Sequence, residues 1–166
     1  HLSKLARIKS LQIKDLQPYN GVIVVLENPT GFLYKILFEN GSETAFQNGP
    51  AFENIPGGLH HLIISNSDGC GQITSELAIL EAPQFFTPNG DSYNDYWHLK
   101  GTNGTNSLHS DVYIFDRYGK LILQISPSSQ GWDGTLNGEP LPADDYWFSV
   151  KLEDGRETKG HFSLMR

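Results

Sequence analysis

The residues best suited to chemistry in this 166-residue chain are Asn89, Asp91, Asn94 and Asp95, four oxygen-bearing side chains within seven positions. Hard cations such as calcium take several oxygen ligands from one irregular loop, so this spacing makes the four a candidate calcium site. An EF-hand is excluded. Counted from Asn89, that loop would put Tyr93 where an oxygen ligand belongs and Lys100 where the bidentate Glu should be. The competing role is structural, since Asn and Asp side chains also bond nearby backbone amides and hold tight turns.

Catalytic patterns are missing. There is no Gly-x-Ser-x-Gly elbow, no phosphate-binding glycine loop and no His-Glu-x-x-His pair. His60 and His61 would point to opposite faces of a strand and cannot share a metal there. Asp144 and Asp145 diverge in the same way, which makes them a poor carboxylate pair for glycoside chemistry. No catalytic residue is assigned, and the expectation is a protein that is not an enzyme. No cofactor is expected beyond the calcium candidate.

The bulk composition narrows the classes further. Formal net charge is −7, spread over both halves, which argues against a nucleic-acid-binding face. The one basic cluster, Lys4, Arg7, Lys9 and Lys14, reads as a solvated strand or linker face. A single cysteine, Cys70, excludes an internal disulfide framework and leaves its pairing open. No apolar run approaches the roughly 20 residues of a transmembrane helix. A start at His1 without Met, followed at once by strand-like sequence, reads as the end of a longer polypeptide, with any export signal upstream.

The elements that must position these residues are short strands. Richness in Gly and aromatics over helix formers predicts an all-β chain, organised as two small immunoglobulin-like β-sandwich domains in tandem, 1–82 and 83–166. In the first, strands are expected at Val22–Leu26, Leu33–Phe38, Leu59–Ile64 and Leu77–Leu80. Turns fall at Asn28–Gly31 and Glu39–Ser42, and the first strand of the sandwich is open to question. Pro83 interrupts pairing before Phe85 and Phe86. In the second, Val112–Phe115 and Leu121–Ile125 flank a Gly-tipped turn. Tyr146, Phe148, Val150 and Leu152 alternate with Trp147, Ser149 and Lys151 before Asp154-Gly155 turns the chain into a last strand carrying Phe162 and Leu164. Residues 131–142 form a structured loop whose Trp132 belongs out of water.

Several of these motifs occur in one recognisable order: Phe85-Phe86-Thr87-Pro88-Asn89-Gly90-Asp91, Asn94-Asp95, Trp97, Ile114-Phe115-Asp116-Arg117-Tyr118-Gly119-Lys120, Gly131-Trp132-Asp133-Gly134, Leu141-Pro142, Asp145-Tyr146-Trp147 and Lys159-Gly160-His161-Phe162-Ser163-Leu164. The run from Pro83 to Arg166 resembles the type B C-terminal sorting domain of the type IX secretion system of Bacteroidota, also described as the gliding-motility-associated C-terminal domain. It departs at Ser92, where that family usually has Gly, and at the variable Met165. Ser92 implies either a backbone angle open to any residue or some strain.

The resemblance implies a non-catalytic sorting signal that takes a large secreted protein through the periplasm to the cell surface or medium. Its partners would be outer-membrane components of the secretion machinery, including a type B-specific protein. The partner-recognition candidates are Lys159, Gly160, His161, Phe162, Leu164 and Arg166, on a terminal strand expected to lie open to strand addition from Lys159 to Arg166. The alternative is a calcium-assisted surface adhesion or carbohydrate-binding module, with Trp97, Trp132 and Trp147 stacking on sugars; core packing is the competing and favoured role of each indole.

Overall fold

A computed structural model describes residues 5–16, 19–101, 111–126, 129–151, 155 and 157–166. Lys4, Leu152 and Asp154, which figure in the basic cluster and the second hairpin, lie outside them. The chain divides into two compact units, His1–Glu81 and Ala82–Arg166, and every described element is a β-strand.

The first unit has two three-stranded sheets. One has the order β1 (Ile8–Lys14), β2 (Gly21–Leu26), β4 (Ala51–Glu53); the other has β3 (Phe32–Leu37), β5 (Gly58–Asn66), β6 (Gln72–Ile79), and all pairings are antiparallel. Alternation in β2 and β3 turns Val22, Val24 and Leu26 from one sheet, and Phe32, Tyr34 and Ile36 from the other, into a shared core with Leu62, Ile64, Leu77 and Ile79. The strand β1 lies upstream of those expected from the sequence. It is an edge strand, half-exposed along its length, which explains its basic residues.

His60 is buried in this core. Its Nδ1 accepts the Glu39 N–H at 3.0 Å, so the proton resides on Nε2, which donates to the Pro56 carbonyl at 2.7 Å. His61 faces the other way and is only partly buried, as strand alternation requires.

The second unit is built on a five-stranded sheet of order β7 (Phe85–Phe86), β13 (Glu157–Leu164), β12 (Asp144–Lys151), β8 (Val112–Phe115), β9 (Leu121–Ile125). Both hairpins are antiparallel, β12 pairs antiparallel with β8, and β7 lies parallel to the end of β13. The inner face carries Phe86, Val112, Ile114, Tyr146, Phe148, Val150, Phe162 and Leu164, all buried. Among the described residues, Trp97 and Trp132 pack against this face and exchange backbone N–H···O bonds of 2.9 Å, and a separate ribbon pairs β10 (Thr135–Leu136) with β11 (Glu139–Pro140).

Candidate functional site

The oxygen-rich loop follows β7 directly, and its side chains are turned onto its own backbone. Asp95 Oδ1 accepts N–H groups from Asn89 at 3.0 Å and Gly90 at 2.9 Å, and Oδ2 accepts Ser92 N–H at 2.7 Å. Asn89 Oδ1 accepts Asp91 N–H at 3.1 Å, and Asp91 Oδ1 accepts Tyr93 N–H at 2.8 Å. Partial desolvation pushes the Asp95 carboxyl up, but the N–H groups of Gly90, Ser92, Asn89 and Asp91 outweigh it and hold the group below its ordinary value. Of the two roles open to these residues in the sequence, the turn-holding one is what these bonds perform.

This architecture sets the backbone angles. Ser92 has φ +69° and Asn94 φ +50°, both left-handed. Asn tolerates that region, whereas Ser bears a steric cost there, so the departure from Gly at position 92 is a strained one. Thr87 N–H closes the loop on the Asn94 carbonyl at 2.7 Å, delivering the chain to Trp97.

Trp97 and Trp132 are core residues with 0% and 2% exposure, which removes them as sugar platforms. Trp97 Nε1 donates to the Pro83 carbonyl at 2.9 Å and Trp132 Nε1 to the Thr135 carbonyl at 2.8 Å, so neither indole N–H is buried without an acceptor. Around Phe162 the rings of Trp97, Trp132, Phe86 and Tyr146 all come within 6.3 Å between centroids. Trp147, on the opposite face of β12, is the exposed indole, at 39%.

Two further motif carboxylates, Asp116 and Asp133, fasten turns. Asp116 Oδ1 accepts the N–H groups of Tyr118 and Lys120, each at 2.9 Å, in the β8–β9 turn where Gly119 has φ +82°. Asp133 Oδ1 accepts the Thr135 hydroxyl at 2.7 Å and its N–H at 3.0 Å; that hydroxyl, against some desolvation and aided by the N–H, holds the carboxyl below its usual value. Gly134, φ +83°, is walled by Pro88 and Leu164, and Arg166 bonds its carbonyl at 3.1 Å and that of Leu141 at 2.9 Å.

The last strand is open over only part of its length, which corrects the expectation of an edge running from Lys159 to Arg166. Ser163 N–H donates to Gln84 O at 2.9 Å and Met165 N–H to Phe86 O at 3.0 Å, so β7 covers that end. Phe162 and Leu164 point into the core with 0% and 2% exposure. In the same alternating phase as Ser163, Lys159 and His161 aim their backbone groups at the β7 side, beyond where β7 pairs. Among the described residues, no strand pairs with Glu157–His161 on that side.

The unit is thus an all-β module whose polar motif residues hold turns and whose accessible features are a short strand edge and the outer face of a sheet. The model of the CHU_C type IX secretion signal domain matches residues 80–164, and the chain belongs to that family. Membership gives the chain a secretion-signal domain over those residues. No curated protein matches the chain.

Three of the solved structures that align do so with low similarity. A biofilm-associated protein (BSP domain) is 16% identical, TM-score 0.34, over 95% of this chain and 29% of its own. The 47-kilodalton lipoprotein Tp47 of Treponema pallidum is 8% identical, TM-score 0.34, over 95% and 51%. Dimeric latent PorU from Porphyromonas gingivalis is 14% identical, TM-score 0.35, over 96% and 20%. The chain thus spans about half or less of each. No helix among the described residues is long and apolar enough to cross a membrane.

Proposed function

We propose that residues 83–166 are a non-catalytic sorting domain that directs a larger secreted protein through the type IX secretion system, and that residues 1–82 are an immunoglobulin-like module joining it to that cargo. The observation that carries this reading is the family match over residues 80–164. The physical picture is compatible with it. A folded unit with a short strand edge gives the machinery a feature to read without chemistry, because a partner strand added there gains main-chain hydrogen bonds. Within the recognition set, Lys159, Gly160 and His161 lie on that edge. Phe162 and Leu164 act from the core by fixing the strand, and Arg166 acts by clamping the 131–142 loop.

The test is a fusion of residues 82–166 to an exported reporter in a type IX host. The reporter is expected at the surface or in the medium, and retention in the periplasm would overturn the reading. A His161→Pro version removes a backbone donor from the open edge, where Pro is tolerated. It is expected to keep the fold by circular dichroism and to lose export.

A further inference from the structure

The outer face of the five-stranded sheet carries more aromatic surface than a solvated face needs. Phe115 on β8 is the cross-strand neighbour of Trp147 on β12, which is in turn the neighbour of His161 on β13. The Trp147 and His161 rings lie 5.9 Å apart, and Tyr113 adds a second aromatic on β8 with 39% exposure. A lone exposed aromatic needs no explanation, but a row across three strands marks an interaction surface.

Beside this row a groove of about 360 Å³ is lined by Phe115, Asp116, Arg117, Trp147, Ser149 and Lys159, among others. Its charge is distinctive. Asp116 gives its Oδ1 to the N–H groups of its own turn and keeps its negative charge, while Arg117 and Lys159 bring two cations, so the lining is net positive in a chain of net charge −7. The contact of Arg117 with Asp144 is long at 3.5 Å and its side chain is 57% exposed, so that pair holds it weakly. A planar guanidinium in this setting favours a better-placed carboxylate.

We propose that this groove docks an acidic peptide segment of a protein partner, with an aromatic or aliphatic side chain against Trp147 and Phe115 and a carboxylate on Arg117 or Lys159. A neutral glycan would use the indole as a stacking platform and gain nothing from paired cations, so the charge favours the peptide. The inference goes beyond the export reading, and its assay needs no secretion machinery, so the two fail separately.

The test uses the whole chain, labelled with nitrogen-15, titrated with acetyl-Phe-Glu-Leu-Glu-amide, its Phe-Gln-Leu-Gln twin and cellohexaose. The Trp147 indole N–H resonance reports the groove. Those of Trp97 and Trp132, bonded to Pro83 and Thr135 carbonyls, report the fold. The expected result is a saturable shift of Trp147 alone with the Glu peptide, about tenfold weaker for the Gln twin and for Arg117→Gln, as losing a charge-assisted bond implies. Lys159→Gln gives a second variant should Arg117→Gln disturb the Trp97 or Trp132 signals. Equal binding of both peptides, no shift of Trp147, a response to cellohexaose alone, or unchanged affinity in both variants would overturn the proposal.

Discussion

The indole of Trp97 lies face to face with the ring of Phe162, 4.0 Å between centroids and 14° from parallel. This pair joins the end of the oxygen-rich segment to the last strand. The turn chemistry of Asn89–Asp95 and the burial of Phe162 are therefore parts of one structure.

Phe162→Ala should remove about 3–5 kcal/mol of stability, the usual cost of deleting a fully buried aromatic whose neighbours cannot collapse. Urea unfolding followed by tryptophan fluorescence measures it. A loss below about 1 kcal/mol would mean that the ring cluster around Phe162 does not hold the unit together.

Ser92→Gly should stabilise the protein. The left-handed angle of +69° costs a non-glycine residue about 1–2 kcal/mol, and the extra entropy Gly loses on folding offsets roughly 0.5–1 of that. A net gain of about 0.5–1 kcal/mol is expected as a higher urea midpoint at unchanged slope. A lower midpoint would show that the Ser side chain contributes something the backbone geometry does not reveal.

Acid should loosen the second unit through Asp95 and Asp133. Both carboxyls are held below their ordinary value in the folded protein. Their contribution is therefore complete above the unfolded value of about 4 and is lost as pH falls through the lower folded values. Melting temperatures between pH 6 and pH 2.5 should fall less steeply for Asp95→Asn and Asp133→Asn than for the unmodified chain, although both variants start lower. Parallel curves would contradict the assignment of those N–H and hydroxyl bonds.

Much of the strand content was legible because it rests on local rules. Tyr146, Phe148 and Val150 alternate with Trp147 and Ser149, so period two alone places the first three inward and Trp147 outward. The Asp116–Gly119 turn is likewise written in its residues. What was not legible is non-local. The pairing of Phe85–Phe86 with Ser163–Leu164 involves two residues on each side, far apart in the chain, and no periodicity encodes it. Without it, the last strand reads as an open edge over its full length. Core packing of Trp97 was the favoured reading, but its partners Phe148 and Phe162 lie on two other strands and were not legible. The loop oxygens fitted two roles from spacing alone, because a backbone amide and a cation both attract them.

The parallel seam between β7 and β13 has a kinetic consequence. Among the described strands, the one that opens the unit pairs only with β13, so the seam is a contact of very high sequence separation, the kind that forms late. A chain emerging from a ribosome or a translocation pore cannot close this unit until Ser163–Met165 are free to bond Gln84 and Phe86. Closure of the second unit thus waits on residues 163–165, and a chain lacking them loses the bonds that tie Gln84 and Phe86 to the sheet.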